Sequence, residues 1–201
     1  MEKLGKFHRQ RRIILAILIV FMILGLLFAR SNWDEDIHEF IEAIGIGLIG
    51  IAIIGRIWSI LYIGGQKGTS IVRSGPYSIT RNPLYLFSSI GAGGVGAQTG
   101  SVLAAILFAV SCVLVFGYVI IREERHLFDR FGSVFSEYVE QVPRLFPNFA
   151  LFQDSETLTV KTKAVYSTFF EGLIFFVAKP GFEIVEFLQD ANYIHPLFSI
   201  P

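Results

Sequence analysis

Two polar segments of the chain carry side chains that could bind a charged small molecule. The first, residues 69–85, combines Arg81 with the dipeptide Asn82-Pro83. This dipeptide predicts a helix N-terminus, because Asn can cap a helix and Pro at the first helical position lacks only an amide that has no partner there. A helix N-terminus beside an arginine favours an anionic ligand group such as a carboxylate.

The second segment, residues 122–125, has the sequence Arg-Glu-Glu-Arg. A carboxylate of Glu123 or Glu124 facing the first segment suits an ammonium group or the hydroxyls of a ribose. The ring faces of Tyr77 and Tyr85 suit a sulfonium or an adenine. S-adenosylmethionine carries all of these groups, and it is therefore the ligand that the residue types suggest.

Each of these side chains also has a purely structural interpretation. The arginines could hold the orientation of membrane-spanning helices, since basic residues collect on the cytoplasmic side. The two glutamates could form surface ion pairs that are worth about 0–1 kcal/mol each. The tyrosines could belong to an aromatic belt at the membrane interface. The residue types alone leave both interpretations open.

The composition indicates a small membrane protein. The 201 residues are 53% hydrophobic and 17% charged, with a mean hydropathy of +0.58. Seventeen basic and seventeen acidic residues cancel, so no overall positive field attracts nucleic acid. The single cysteine, Cys112, excludes a disulfide framework and a cysteine-rich metal domain.

The apolar runs predict an all-α integral membrane protein with about five transmembrane helices in a single domain, residues 1–201. The first span, residues 13–29, follows a basic segment and places the N-terminus in the cytoplasm; the alternative is a secretory signal peptide. The second span, residues 44–63, contains Arg56. This arginine either snorkels to the surface or faces a polar cavity.

Residues 83–98 and 102–121 predict a tight helical hairpin, because glycines at positions 91, 93, 94 and 96 permit close helix contact. Both ends of the hairpin then face the cytoplasm, together with two cofactor segments, residues 66–85 and 122–147. After residues 122–126, apolar residues at helical spacing predict an amphipathic helix from about residue 127 to about residue 142, which Pro143 and Pro147 end.

Residues 164–188 allow two interpretations. The apolar run from Phe169 to Ala178 is interrupted by Lys179-Pro180-Gly181, and a run of this length does not span a bilayer. The segment is either a kinked fifth span with its charges turned inward or an amphipathic helix at the interface. We favour the span.

The two polar segments resemble the integral-membrane methyltransferases typified by isoprenylcysteine carboxyl methyltransferase and phospholipid N-methyltransferases. The family has Gly-Pro-Tyr and then Arg-His-Pro-x-Tyr, and the chain has Ser74-Gly75-Pro76-Tyr77 and Arg81-Asn82-Pro83-Leu84-Tyr85. The second signature consists of Glu123-Glu124, Leu127, Phe131-Gly132, Tyr138, Val142-Pro143-Arg144 and Pro147. The resemblance covers roughly residues 45–147, and both signatures in order make it specific.

This resemblance implies a pocket for S-adenosylmethionine on the cytoplasmic side, roofed by the segment after Glu124. It assigns the acidic ligand of the cofactor to Glu123 and the lining of the pocket to the first segment. The residues expected at the cofactor are Thr69, Ser70, Ile71, Val72, Tyr77, Arg81, Asn82, Pro83, Leu84, Tyr85, Glu123 and Glu124.

The implied activity is methyl transfer, without a metal, to a carboxylate or amine of a lipid-like or prenylated acceptor, which we expect Arg56 and Arg122 to contact. Two positions depart from the family. Asn82 replaces the usual histidine and cannot act as an acid or base. Val119 stands where the prenylcysteine enzymes carry an arginine that meets the substrate carboxylate. The sequence therefore does not assign a prenylcysteine carboxylate as the acceptor.

Two other functions stay open at the level of the sequence. Membrane sterol reductases look similar in their C-terminal half and use NADPH, although they normally have many more spans. A non-catalytic scaffold or accessory subunit could retain the fold, and the departures at Asn82 and Val119 favour it. We expect a multi-pass protein of the bacterial inner membrane or the endoplasmic reticulum. Its expected partners are the bilayer and the lipid-like acceptor, not nucleic acid.

Overall fold

A computed structural model describes residues 27–65 and 70–201 of the chain. Its helices are α1 (Glu35–Ile63), α2 (Pro76–Ile79), α3 (Pro83–Ala97), α4 (Val102–Phe131), α5 (Ser133–Gln141), α6 (Thr162–Leu173) and α7 (Ala178–Asp190). Short 3-10 helices cover Phe149–Leu151 and Ile174–Val177. Two strands, β1 (Ala29–Ser31) and β2 (Phe198–Ile200), pair in parallel. The fold is helical, as predicted, with one small strand pair that the sequence does not predict.

Two helices in the described part of the chain are long and apolar enough to cross a bilayer, namely α1 and α4. Helix α1 begins at Glu35, well before the predicted start at residue 44. The Oδ1 atom of Asp34 accepts a hydrogen bond from the amide of Ile37 at 3.0 Å, and Glu35 and Asp36 occupy the first turn. Acidic groups stabilise a helix start in this way. The count of five spans stays a prediction.

Helices α3 and α4 form the predicted hairpin, with starts at the predicted residues. A Cβ atom at Gly96 would lie 2.6 Å from the carbonyl oxygen of Ala104, so the close approach of the two helices requires glycine there. Helix α4 continues without a break to Phe131, and Gly132, with φ of +53°, separates it from α5. The predicted amphipathic helix is therefore divided between the end of α4 and α5.

The antiparallel packing of α1 against α3 gives the bundle two distinct ends. We call the end where α1 finishes and α3 begins the site end; there the rings of Trp58 and Phe87 lie 6.4 Å apart. The turn between α3 and α4 lies at the far end. At that turn Gly100 has φ of +61°, and a Cβ atom there would lie 2.1 Å from Nδ1 of His38.

Helix α6, the second 3-10 helix and α7 follow one another without a loop from Thr162 to Asp190. The residues Lys179-Pro180-Gly181, which interrupt the apolar run, do not end the helical segment, because Pro180 lies in the first turn of α7, where an amide needs no partner within the helix. Two charges of this segment face α1, where Glu171 meets Arg56 at 3.3 Å and Lys179 meets Glu42 at 2.7 Å. Such inward charges suit a kinked span, and the crossing of the bilayer stays a prediction.

The strand pair joins the two ends of the described chain. Ala29, the last residue of the predicted first span, lies in β1 rather than in a helix, and residues 13–26 of that span lie outside the described residues. Arg30 pairs with Asp190 at 2.8 Å, and Nε2 of Gln189 donates to the carbonyl oxygens of Leu27 and Ala29 at 2.9 and 3.0 Å. These bonds join residues far apart in sequence, which no local pattern reveals.

The contact between α1 and α3 predicts the effect of substituting Gly94. A Cβ atom there would lie 2.7 Å from the carbonyl oxygen of Gly45 and 3.0 Å from the amide nitrogen of Ile49. Backbone atoms cannot yield without moving the helix, so we expect Gly94→Ala to lower the free energy of unfolding by about 1–3 kcal/mol. Thermal unfolding in detergent micelles measures the change.

Gly50→Ala is the matched control, since nothing lies within 4 Å of a Cβ atom at Gly50. Alanine is the better helix former, so this variant should unfold at the wild-type temperature or slightly above it. Equal destabilisation of both variants would contradict the close contact.

Candidate functional site

A tight bend brings the chain into the site end before α2. Gly75 has φ of +58°, and a Cβ atom there would lie 2.3 Å from the ring of Tyr62, so the bend requires glycine. The ring of Tyr77 is buried in a cluster with Tyr62 and Val72, and its carbonyl oxygen accepts a hydrogen bond from the hydroxyl of Tyr138 at 2.8 Å. Burial raises the pKa of both Tyr77 and Tyr138, so both phenols stay protonated.

The first turn of α3 meets α4 through a tyrosine. Helix α3 begins at Pro83, which is fully buried. The ring of Tyr85 lies 4.6 Å from that of Phe116 in α4, and the Tyr85 hydroxyl donates to Oε2 of Glu123 at 2.8 Å. We call Arg81–Tyr85 together with Glu123 the corner. The structure thus brings the two polar segments of the sequence together, as the sequence interpretation requires.

Glu124 holds two arginines beside the corner. Its carboxylate accepts hydrogen bonds from Nη1 of Arg81 at 2.8 Å and from Nη2 of Arg144 at 2.8 Å. The side chains of Arg81 and Glu124 are only 10% and 14% exposed. Burial lowers the pKa of Arg81, while the charge of Glu124 opposes this shift. Glu124 is therefore engaged in a structural cluster, and its contact with a cofactor stays a prediction.

Residues 143–155 cross the site end as a strap. Three backbone hydrogen bonds of 2.7–2.9 Å join the strap to the first polar segment: from Arg81 to Pro143, from Asn148 to Ile79 and from Gly75 to Gln153. The hydroxyl of Tyr62 also donates to Asp154, which lowers the pKa of the Asp154 carboxyl. The strap therefore fixes the position of the bend and of the corner.

The structure corrects the role predicted for Asn82. Its side chain does not cap α3; instead, Nδ2 donates to the carbonyl oxygen of Arg144 at 2.9 Å. The backbone carbonyl of Asn82 accepts from the amides of Tyr85 and Leu86 at 3.1 Å, which closes the first turn. The side-chain amide is drawn to the strap because the strap passes directly beside the helix start.

The predicted lining before the bend is described from Ser70 onwards, and Thr69 lies outside the described residues. Residues 70–73 form neither helix nor strand. Ile71 packs against a cluster of α5, and Val72 packs against Tyr77. Ser70 is exposed and Leu84 is half-buried. Their contacts with a cofactor stay predictions.

Arg56 meets polar groups of α3 and α6 inside the bundle. Its Nη1 donates to Oγ of Ser88 at 3.1 Å, and its Nη2 lies 3.3 Å from Oε2 of Glu171. The guanidinium also lies 5.8 Å from the ring centroid of Phe175. The side chain is therefore held by neighbouring helices, which favours a polar environment over snorkelling. Its contact with an acceptor stays a prediction.

The face of α4 before the acidic pair explains the second departure from the family. Val119 is almost completely buried, so an arginine at this position would need a buried partner. Arg122 lies on an exposed face, where Nη1 donates to the hydroxyl of Tyr118 at 3.3 Å. Its contact with an acceptor likewise stays a prediction.

The groups at the corner fit the chemistry of S-adenosylmethionine. The carboxylate of Glu123 suits an ammonium or ribose hydroxyls, and the rings of Tyr85 and Phe116 suit a sulfonium or an adenine. Nε of Arg81 is buried without a hydrogen-bond partner among the described residues, and it is a donor suited to a carboxylate. These groups therefore match the ammonium, sulfonium and carboxylate groups of this molecule.

A cavity of about 510 Å3 opens at the far end rather than at the corner, and the sequence did not predict it. Inside it, Nε2 of His38 lies 3.2 Å from Oε1 of Glu186 and 3.7 Å from Oε1 of Glu42. No group of three or more His, Cys, Asp or Glu in residues 27–65 and 70–201 is arranged to hold a metal ion. The predicted cytoplasmic pocket stays a prediction.

Two residues of the site end were quoted in the second signature without a role, namely Tyr138 and Arg144. Tyr138 binds the bend through Tyr77, and Arg144 binds Glu124. The sequence signal that could have indicated a role for Arg144 was the position of Val142-Pro143-Arg144 in the signature, directly after the predicted amphipathic helix.

Comparisons with known proteins agree with these signatures. The family model for phospholipid methyltransferases matches residues 41–134. The chain is 30% identical to the cobalt-zinc-cadmium resistance protein CzcN of Cupriavidus metallidurans, over 98% of this chain and 92% of the relative. It is also 30% identical to the nickel-cobalt-cadmium resistance protein NccN of Alcaligenes xylosoxydans xylosoxydans, over 94% and 87%. No solved structure is significantly similar to the chain.

The identity extends over nearly the whole chain, and the family match includes α3, the corner and the α3–α4 hairpin. The two apolar helices α1 and α4 fit a protein of the membrane. The chain therefore belongs to the phospholipid methyltransferase family, part of the broad family of membrane methyltransferases that includes the isoprenylcysteine carboxyl methyltransferases.

Proposed function

We propose that the protein transfers a methyl group from S-adenosylmethionine to a lipid-like acceptor at the membrane surface of the site end. The observation that carries this proposal is the 2.8 Å hydrogen bond between Tyr85 and Glu123, which joins the two signature segments across the hairpin. Membership of the methyltransferase family supports the reaction type. It also argues against an NADPH-dependent reductase.

The proposed reaction requires the protein to bind S-adenosylmethionine and the acceptor and to align them. When bound, S-adenosylmethionine supplies a sulfonium methyl group for the acceptor nucleophile, and S-adenosylhomocysteine is the product. Glu123 would hold the ammonium or ribose hydroxyls, and Nε of Arg81 would hold the carboxylate. Transfer to a nucleophile that is already deprotonated depends on orientation and exclusion of water, so we assign no general base.

The asparagine at position 82 is compatible with this role. Its side chain binds the carbonyl oxygen of Arg144 at 2.9 Å and so joins the corner to the strap. A residue used in this way needs a hydrogen-bond donor, which asparagine provides, and it does not need to titrate. The departure from histidine therefore removes no group on which the proposed transfer depends.

We further propose that the acceptor reaches the corner from the bilayer, between α1 and the hairpin, where Arg56 lies. Ser88, which binds Arg56, is three residues beyond Tyr85 along α3, or about 4.5 Å of helix rise. An anionic group held by Arg56 would therefore lie about one helix turn from the corner. Arg122, on an exposed face of α4, is the second proposed acceptor contact.

Glu123→Gln tests the cofactor site, because it removes the charge and keeps the size of the side chain. Hydrogen bonds to charged groups contribute about 1.5–3 kcal/mol, so we expect binding of S-adenosylhomocysteine to weaken about 10- to 100-fold. Isothermal titration of the protein in lipid nanodiscs measures the binding. Transfer from labelled S-adenosylmethionine into a total lipid extract should fall in parallel, with the product identified by mass spectrometry.

Glu140→Gln is the control for this experiment, since it removes an exposed carboxylate of α5 and should change neither binding nor transfer. Folded wild-type protein that binds no S-adenosylhomocysteine and labels no lipid would refute the proposed function. Undiminished binding by Glu123→Gln would instead remove Glu123 from the site.

Arg56→Gln tests the acceptor route. Loss of one charged contact worth about 1.5 kcal/mol should raise the KM for the labelled lipid roughly tenfold, while binding of S-adenosylhomocysteine stays at the wild-type level. The double variant Arg56→Gln/Glu171→Gln leaves no unpaired charge in the bundle and should show the same increase. Arg130→Gln removes an exposed arginine and serves as the control. An unchanged KM in both Arg56 variants would exclude Arg56 from the acceptor site.

A second candidate function is a non-catalytic scaffold or accessory role. The engagement of Asn82 and Glu124 in bonds to the strap and to arginines supports it, because both residues then serve the fold. One relative is named for resistance to cobalt, zinc and cadmium, and the other for resistance to nickel, cobalt and cadmium. We propose that this chain, acting as a methyltransferase, also contributes to such resistance through its methylated product.

Metal tolerance of cells that lack their own copy of this gene separates the two candidates. We expect the wild-type gene to restore growth on cobalt or cadmium salts and Glu123→Gln, at equal abundance in the membrane, to fail, since a catalytic role requires the cofactor site. Full restoration by Glu123→Gln would favour the scaffold, and Glu140→Gln should behave as wild type.

A further inference from the structure

We propose that the strap is a membrane anchor that inserts Phe146 and Phe149 into the lipid surface at the site end. The partner of this face is the bilayer leaflet itself. The inference does not depend on methyl transfer, because it rests on the exposure, composition and position of residues 145–152.

The two aromatic side chains are exposed although their backbone is fixed. Phe146 and Phe149 are 81% and 72% exposed. On either side of Phe146, the carbonyl of Leu145 accepts from Oγ1 of Thr80 at 3.1 Å, and the amide of Asn148 donates to Ile79 at 2.9 Å. Burial of a phenylalanine is worth about 1.5–3 kcal/mol. Two rings held outward on a fixed backbone therefore indicate a surface that a partner covers.

The composition of this part of the strap identifies the partner as lipid. Residues 145–152 have the sequence Leu-Phe-Pro-Asn-Phe-Ala-Leu-Phe and contain no charge. Arg144, which is exposed, stands immediately before them, and Asp154 follows shortly after. An uncharged aromatic segment with a cationic residue at its edge suits the boundary between headgroups and acyl chains.

The position of the strap continues a surface that already faces the bilayer. The ring of Phe152 lies 6.2 Å from that of Trp58, which is in the last two turns of the apolar helix α1. On the same helix, Ile51 and Ile54 are exposed, as expected for side chains that contact lipid. Tryptophan near the end of a spanning helix marks the membrane interface. The strap therefore lies where the lipid surface of α1 ends, which favours lipid over a second copy or a soluble protein.

Spin labels test the depth of the strap in the full chain. In a Cys112→Ser background, which removes the single native cysteine, Phe146→Cys and Phe149→Cys are labelled in lipid nanodiscs, with Glu140→Cys as the aqueous control. Insertion of about 5–10 Å below the headgroups should make collisions with oxygen several-fold more frequent than at the control and collisions with a nickel chelate several-fold rarer. Nickel collisions at the control frequency for both labels would overturn the proposal.

A second measurement uses the unmodified protein, so that the test does not depend on correct folding of the labelled variants. Wild-type protein in vesicles containing a lipid with a photoreactive headgroup-proximal carbon should form crosslinks within residues 145–152. An absence of crosslinks there, with crosslinks present on α1, would overturn the anchor.

In the spin-labelled variants, dipolar broadening between labels on two copies would assign the surface to self-association and would also overturn the proposal.

Discussion

The ion pair between Arg81 and Glu124 is the interaction on which the arrangement of the site end depends. Both side chains are largely buried, and removal of Glu124 would leave the charge of Arg81 uncompensated, which in a buried pair costs about 3–5 kcal/mol. Arg81 precedes α3, Glu124 lies on α4 beyond its apolar run, and Arg144 brings the strap to the same carboxylate. One acidic group therefore determines how three separate segments meet.

The same ion pair explains why the adjacent residues Glu123 and Glu124 have different partners. Consecutive residues of a helix point about 100° apart, so Glu123 cannot face Arg81 while Glu124 does. It faces the first turn of α3 instead, where Tyr85 reaches it at 2.8 Å. The close packing of the hairpin makes this reach possible, because a larger residue at Gly96 would force α3 away from α4. The carboxylate presented at the corner is thus positioned by helix packing and by its neighbour's salt bridge together.

Local sequence patterns predicted the helices of the site end. They did not predict the contacts between residues that lie far apart in sequence. The start of α3 at Pro83 and the glycine contacts follow from residue types within one turn of each other, and the sequence predicted them. The strap, the bond from Asn82 to Arg144 and the β1–β2 pair join residues that are 62 or more positions apart, in segments without periodicity. The sequence likewise left open whether a helix continues at Pro180, since a proline ends a helix or begins one according to where the helix starts.

The two departures from the family bear on the acceptor in opposite directions. Without a histidine at position 82, the corner is better suited to a nucleophile that is already deprotonated, and near neutral pH a carboxylate is deprotonated whereas an alkyl ammonium is not. Without an arginine at the buried position of Val119, α4 supplies no cation there to hold that carboxylate. Arg56 resolves this conflict under the proposed function, because it carries the missing charge from α1 and contacts α3 through Ser88, one turn from Tyr85. Under the same proposal, the guanidinium of Arg56, which now pairs with Glu171 at 3.3 Å, would exchange this partner for an acidic acceptor that arrives from the lipid.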